Sequence, residues 1–241
     1  QTATANAADI TGTVLTMHSG SSTTSGVGHV QTYSTVGNCS VGRSCFPAYS
    51  GATPGSGNTA VGVLSFGGAS ALNNAAQCTA LGYASLTAAT NCQNNCAGGY
   101  NSLLACTTGG FNTAFGSLAG RGITTQTNNT MVGCQAGGTA TCTQAVHIGG
   151  LAGNVSSSTN DVFVGYSCGS GHTSGTNNVA VGSSAYSSAG TGNNNVFVGT
   201  TAGLGALSAS SNVGIGRNGL ASITSGGNNV ALGDQSLSNM T

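Results

Sequence analysis

The residues of this chain that could carry out chemistry are nine cysteines, four histidines and three aspartates. General acid–base catalysis needs paired titratable groups, but Asp9, Asp161 and Asp234 lie far apart in the sequence. Cys168 and His172 are close enough to suggest a thiol–imidazole pair, but they lie in a Gly/Ser-rich stretch that is typical of a loop. The sequence therefore predicts no enzymatic activity and no cofactor.

The nine cysteines favour an oxidising compartment and disulfide bonds, because such a polar chain has little other use for so many thiols. Cys92 and Cys96 loosely resemble a metal-ligand pair, but no matching Cys/His pair follows at finger spacing, so we predict no metal site. Sequence alone does not fix disulfide connectivity. The candidate pairs are Cys39 with Cys45, Cys78 with Cys96, Cys92 with Cys106, and Cys134 with Cys142. Since nine is odd, at least one cysteine is free or bonds to another chain.

Most of the chain, including most of its cysteines, belongs to an internal repeat that ends in glycine. The strings NNVAVG, NNVFVG and NNVALG end at Gly182, Gly199 and Gly233. Glycines of this kind, which we call anchors, are Gly42, Gly62, Gly82, Gly99, Gly116, Gly133, Gly149, Gly165, Gly182, Gly199, Gly216 and Gly233. They lie 20 residues apart at first and then 16 or 17 apart. Such periodicity indicates stacked coils, so we predict an all-β, single-chain β-solenoid (a β-helix or β-roll) over residues 38–241, with roughly 12 coils of about 17 residues.

Residues 1–37 lack the anchor and form the other predicted unit. Within it, Ile10–Met17 and Val27–Thr35 read as strands. Because solenoids need their edges covered, we expect this segment to cap the rod or to donate a strand to another subunit. No cap pattern follows the last repeat, so we expect either a truncated chain or an end that another subunit covers, and the second alternative favours a filament.

Positions counted from the anchor show what each column of the repeat does. Position −4 is Asn in most coils, from Asn38 to Asn229, and predicts an amide ladder. Positions −3 and −1 share one face of a strand, and their Val/Ile-rich columns are the predicted core. Position +4 is either large, as in Phe66 and Tyr186, or Gly, as in Gly137.

Position −2 is then expected to point outward, although it is almost entirely apolar or small. Its widest members are Met131, Phe163 and Phe197, and His147 in the same column is interpreted as a packed histidine. A monomer rarely displays a continuous apolar stripe. We therefore predict an assembly face between molecules, with the alternative that one chain covers both sides of the strand.

The composition excludes two classes of partner. Charged residues make up 2% of the chain, and three scattered arginines cannot neutralise a nucleic-acid backbone. No apolar stretch approaches the roughly 18 residues of a membrane helix, so we predict no membrane insertion. Candidate glycosylation sequons begin at Asn38, Asn128, Asn154 and Asn239.

The strings NTAVG (58–62), NTAFG (112–116) and NNVALG resemble the head repeats of trimeric autotransporter adhesins. They also resemble the NTALG-type repeats of phage and large-virus fibre proteins. The resemblance covers roughly residues 38–241, and it implies a β-roll, usually trimeric, that projects from a surface and contacts a host or matrix. The longer period, the many cysteines and the lack of a coiled-coil stalk differ from the adhesin pattern.

These observations predict a structural subunit of an extracellular fibre, filament or virion appendage, located outside the cell or on a cell or virion surface. Its partner is itself, as a homo-oligomer or head-to-tail polymer that associates through the solenoid ends or an apolar face. One alternative is a discrete trimeric adhesin head that binds a glycan or host surface. A second is an ice-binding solenoid, although no sustained T-x-T column is present.

Overall fold

A computed structural model of the chain describes residues 30–33, 37–42, 44–45, 55–67 and 74–239. These residues form an all-β solenoid without helices. Its strands lie in one sheet in the order β1 to β13. The strands are β1 (Val30–Tyr33), β2 (Asn38–Val41), β3 (Thr59–Val61), β4 (Thr79–Leu81), β5 (Cys96–Gly98), β6 (Thr113–Phe115), β7 (Thr130–Val132), β8 (Val146–Ile148), β9 (Val162–Val164), β10 (Val179–Val181), β11 (Val196–Val198), β12 (Val213–Ile215) and β13 (Val230–Leu232).

Neighbouring coils are joined by parallel pairing between equivalent positions of the repeat. Val179 pairs with Val196, and Val196 pairs with Val213, without any offset. The Val196 N–H donates to the Asn212 carbonyl at 2.8 Å, so the backbone groups of one coil are satisfied by the next. This pairing explains how a chain so rich in Gly and Ser stays ordered, since local propensity contributes little. The predicted β-solenoid with a spacing of about 17 residues is confirmed.

β1 runs antiparallel to β2, with Val30 opposite Val41 and Tyr33 opposite Asn38. It therefore covers the outer edge of β2 within the same chain. β1 lies inside the strand predicted at Val27–Thr35, whereas the strand predicted at Ile10–Met17 falls outside the described residues.

The anchor position accepts only glycine for two reasons. Gly199 has a φ of +137°, a region that favours glycine. A Cβ on Gly199 would also lie 2.4 Å from the carbonyl oxygen of Gly216 in the next coil. Because the anchors stack on one another, a side chain at an anchor would clash with the backbone carbonyl of the anchor in the next coil, so close stacking of two coils requires glycine at the first of the two anchors.

Left-handed backbone conformations turn the chain around its narrow core. They occur at the residue before the ladder position and at positions +2 and +4, as in Asn194 (φ 58°), Thr201 (φ 56°) and Tyr186 (φ 50°). Asn tolerates this conformation better than most residues, which accounts for the first Asn of each NN pair. At positions +2 and +4, backbone hydrogen bonds between neighbouring coils stabilise the left-handed conformation, as in the bond from the Thr201 N–H to the Ser183 carbonyl at 3.0 Å.

The predicted assignment of inner and outer faces is wrong. Met131, His147, Phe163 and Phe197, expected on an outward assembly face, lie at position −2 with at most 1% exposure. The predicted core columns at −3 and −1 instead form the outer face of the sheet, where Val61 is 38% exposed. Alternation in a three-residue strand defines two faces but not which of them is inside. Here the more uniformly branched columns lie outside.

The interior is filled by matching large and small residues at positions −2 and +4. Where position −2 is large, position +4 is glycine: a Cβ on Gly153 would lie 2.3 Å from the His147 ring, and one on Gly203 would lie 2.5 Å from the Phe197 ring. Where position −2 is Ala180, position +4 is the fully buried Tyr186. This size exchange lets large side chains fill the interior without clashing, as close packing requires.

Candidate functional site

The outer face of the sheet is a regular surface that runs along β2 to β13. It is formed by the side chains at positions −3 and −1 of β2 to β13. Position −1 carries Val41, Val61, Leu81, Gly98, Phe115, Val132, Ile148, Val164, Val181, Val198, Ile215 and Leu232. Position −3 carries Cys39, Thr59, Thr79, Cys96, Thr113 and Thr130, followed by Val146, Val162, Val179, Val196, Val213 and Val230. Apart from Gly98, which is buried, the two columns are half-buried to exposed, so an apolar stripe runs the length of the sheet.

Gly98 interrupts the −1 column without leaving a gap. A Cβ on Gly98 would lie 2.4 Å from Cδ1 of Phe115, so the Phe115 ring covers this position. Aromatic residues border the stripe at position +1, where the exposed rings of Tyr83 and Tyr100 stack at 5.6 Å. The stripe is therefore continuous and has an aromatic border at this end.

Neither column of the stripe contains a charged residue. Two exposed charges, Arg217 and Asp234, lie at position +1 and are joined by a hydrogen bond of 2.7 Å from the guanidinium to the carboxylate. This contact raises the pKa of Arg217, but both groups are exposed and the pair adds little stability. The face can consequently bind by burying apolar area but offers no charge for recognising a polar ligand.

The predicted amide ladder is present inside the coil. Asn195 donates through Nδ2 to the Ala209 carbonyl at 2.8 Å, and its Oδ1 accepts the Asn212 N–H at 3.1 Å. The same Oδ1 accepts Nδ2 of Asn212 at 3.2 Å. Because these side chains are buried and fully bonded, the column holds the rod together and is closed to a ligand.

One ladder position is a carboxylate. Oδ1 of Asp161 accepts the Asn178 N–H at 2.7 Å, and Oδ2 lies 3.1 Å from Nε2 of His172. The second contact is close enough for an ion pair but is not aligned as a hydrogen bond. Both side chains are fully buried.

His147 lies beside this pair in an aromatic row. Its ring stacks on Phe163 at 5.2 Å, and His172 contacts Tyr186 at 4.8 Å. The pKa of His147 is lowered to about 4, chiefly by burial; the Asp161 carboxylate opposes this change and His172 adds to it. His147 is therefore neutral at pH 7, which agrees with its interpretation as a packed histidine.

The thiol–imidazole pair considered from the sequence offers no accessible nucleophile. Cys168 and His172 are both fully buried. The Cys168 thiol donates to the Ala180 carbonyl at 3.2 Å, and burial raises its pKa to about 12. The thiolate that nucleophilic chemistry needs is thus disfavoured.

No two of the nine cysteines are bonded to each other in the described residues, and the predicted pairs differ in where their side chains lie. In three of them one side chain points outward (Cys39, Cys96, Cys134) and the other is buried in the core (Cys45, Cys78, Cys142). Each of these three pairings would have to join a cysteine of the outer face to one of the core, and the three pairings stay predictions. The fourth pair, Cys92 with Cys106, consists of two buried thiols that interact.

The sequons differ in accessibility. Asn38 belongs to the ladder, where its Nδ2 donates to the Gly55 carbonyl at 2.8 Å, so a glycan on this nitrogen is incompatible with the fold. Asn128 and Asn239 are exposed, and Asn154 is half-buried. These three stay predicted glycosylation sites.

A shallow cavity of about 120 Å³ lies beside Asn154. Arg121, Gln135 and Thr139 contribute polar groups to it. It is well below the roughly 300–1,000 Å³ of small-molecule sites. Among the described residues, no group of three or more His, Cys, Asp or Glu side chains could hold a metal ion. The described part of the chain also contains no helix long and apolar enough to span a membrane.

No protein-family model matches the chain, and no curated protein or solved structure is significantly similar to it.

Proposed function

We propose that this chain is a structural subunit of an extracellular fibre, filament or virion appendage, and that its copies associate through the outer sheet face. The observation that carries the proposal is the stripe of Val, Ile, Leu and Thr side chains on β2 to β13, which stays partly exposed along the whole sheet. Monomeric proteins rarely leave so long an apolar surface open to water.

The shape and charge of the stripe suit a second copy of the same face. Its side chains repeat at a constant strand spacing, so two stripes can interdigitate along their length in the way that packed sheets do. Formal net charge is zero and charged residues are 2% of the chain, so electrostatic repulsion does not oppose association. The cysteine content supports an oxidising, extracellular location.

The test combines negative-stain electron microscopy with analytical ultracentrifugation of the purified chain. We expect the wild type to form fibres or large oligomers. The variant Val181→Lys/Val198→Lys adds charge to two neighbouring strands of the stripe, β10 and β11, and is expected to stay monomeric, with an unchanged circular dichroism spectrum. The control Leu207→Lys adds charge at an exposed apolar residue outside the sheet and should assemble like the wild type.

Other outcomes separate the alternatives. A wild type that is monomeric at every concentration, or a double variant that assembles normally, contradicts association through this face. Compact trimers that bind glycans support the adhesin head instead. Ice crystals shaped by the monomer would support the ice-binding solenoid.

A further inference from the structure

The ladder asparagines connect successive coils by a contact that recurs along the rod. Seven of them donate from Nδ2 at position −4 to the carbonyl at position −7 of the next coil. The contacts are Asn38 to Gly55 at 2.8 Å, Asn58 to Ala75 at 2.7 Å, Asn95 to Gly109 at 2.8 Å, Asn112 to Gln126 at 2.9 Å, Asn178 to Gly192 at 2.9 Å, Asn195 to Ala209 at 2.8 Å and Asn212 to Gly226 at 3.2 Å. The contact is buried and joins two coils through a single side chain.

At one coil both ends of this contact are cysteines. Cys78 occupies position −4 in place of Asn, and position −7 of the next coil is Cys92. The Cys78 sulphur lies 3.7 Å from the Cys92 carbonyl oxygen, so the Cys78 side chain points where a ladder amide would point. The two sulphurs are 3.8 Å apart, and both residues have no exposed surface. Cys78, which replaces the ladder Asn, and Cys92, at the acceptor position of the next coil, therefore contact each other.

We propose that Cys78 and Cys92 form a disulfide that replaces the missing ladder amide as the connection between these two coils. A disulfide needs its sulphurs about 2 Å apart, and side-chain rotation can close the remaining distance because the sulphurs already face each other. This inference is independent of the proposed function, since it concerns only the covalent state of the rod interior.

The oxidant is a low-molecular-weight disulfide. The thiolate of one cysteine attacks a sulphur of that reagent and displaces one small thiolate, which takes up a proton. The thiolate of the second cysteine then attacks the protein sulphur of the mixed disulfide and releases the second small thiol. Each protein thiol loses a proton, and the two electrons removed from the pair reduce the reagent to two thiols.

Burial of Cys78 and Cys92 determines the stage of folding at which thiol–disulfide exchange can occur. The hydrogen bond with Cys92 and burial raise the pKa of Cys78 far above its usual range. The interaction with the Cys106 thiol raises the pKa of Cys92 to about 12. Thiolate is therefore scarce in the closed coil, and a reagent cannot reach it. Oxidation must precede closure of these coils, so refolding with oxidised glutathione should give the linkage, whereas treating the folded, reduced chain should not.

Disulfide mapping tests the proposal on full-length chain refolded with oxidised glutathione and then alkylated. Chymotrypsin can cleave after Leu81, Tyr83 and Leu86 and so separate Cys78 from Cys92. Because Cys96 stays on the same peptide as Cys92, the mapping is repeated on Cys96→Ser. We expect one linked pair of peptides in both chains. Linkage of Cys78 to Cys96, linkage of Cys92 to Cys106, or alkylation of both Cys78 and Cys92 would overturn the proposal.

Thermal unfolding with and without reductant supplies a second readout. Cys78→Asn restores the ladder amide, so it should fold and be insensitive to reductant. Reductant should lower the unfolding midpoint of the refolded wild type and of Cys96→Ser by about 5–10 °C. An equal shift in Cys78→Asn would assign the effect to other cysteines and contradict the proposal.

Discussion

Oδ2 of Asp161 and Nε2 of His172 are 3.1 Å apart in the interior of the rod, where neither side chain reaches solvent. Equivalent positions in other coils are uncharged: position −4 is usually Asn, and position +7 is small or apolar, as in Ile123 and Ala206. This coil therefore contains a carboxylate–imidazole contact in place of an amide and an apolar side chain.

Replacing one partner should destabilise the rod more than replacing both. His172→Ile leaves the Asp161 carboxylate buried without its partner, and we expect a loss of about 3–5 kcal/mol in the free energy of unfolding. The double variant Asp161→Asn/His172→Ile reproduces the usual residues of the repeat and should be at least as stable as the wild type. Urea denaturation of the three chains measures both effects. If the double variant were less stable than His172→Ile, the Asp161–His172 contact would not be equivalent to the Asn and apolar residue that other coils carry at these positions.

His147 should make stability depend on pH. Its folded pKa of about 4 lies below the value of 6.5 in an unfolded chain, so the unfolded state takes up the proton first as pH falls. The contribution of neutral, buried His147 to the free energy of unfolding is fully present above pH 6.5. It declines by up to about 3 kcal/mol as pH falls to about 4.

His147→Phe removes this titration and matches Phe163 and Phe197 of the same column. The difference in unfolding free energy between this variant and the wild type should grow as pH falls from 6.5 to 4. Asp161 and His172 face the same site in both chains. A difference that is constant with pH would mean that His147 is not buried as a neutral ring.

Substitution at an anchor should be far more damaging than at a nearby glycine. Gly199→Ala places a methyl group 2.4 Å from the Gly216 carbonyl oxygen on a backbone at φ +137°, and we expect a loss of at least about 3 kcal/mol. Gly219→Ala is the control, because its nearest contact would be 3.4 Å and other coils carry Ala202 or Ala185 there. Circular dichroism melting curves compare the two, and equal destabilisation would contradict the stacked-anchor geometry.

The ladder should depend on the buried Asn of each NN pair, while the exposed one sets only the local backbone. Asn195→Ala removes a donor and an acceptor and leaves the Asn212 N–H and the Ala209 carbonyl without their side-chain partner. We expect a loss of about 2–4 kcal/mol. Asn194→Gly preserves the left-handed corner at φ 58° and should cost under about 1 kcal/mol. Guanidinium unfolding distinguishes them, and similar losses would argue against the ladder.

The anchors, the coil length and the ladder could be predicted because each depends on one residue type recurring at a fixed interval. The orientation of the strand could not be obtained the same way. Val179 and Val181 look like core residues by type, yet Ala180 between them is the buried one. A slender coil has room for few large side chains, so small residues dominate its interior and branched ones remain outside.

The sequence did contain a signal for the correct orientation. Phe197 is followed by Gly203, and Ala180 by Tyr186, so the sizes at positions −2 and +4 vary inversely. Such compensation is expected only of columns that share one packed space. The contact between Cys78 and Cys92 left no comparable signal, since it joins positions −4 and −7 of different coils and depends on how the chain turns between them.

Strand pairing is in register between Val179, Val196 and Val213. This regular register affects how the number of repeats could change during evolution. Each repeat occupies one strand spacing of about 4.8 Å along the axis. Recombination that gains or loses a whole repeat would therefore change the length in equal steps while leaving the remaining junctions alike. The number of repeats therefore sets the length of the solenoid, while the width of each coil stays the same.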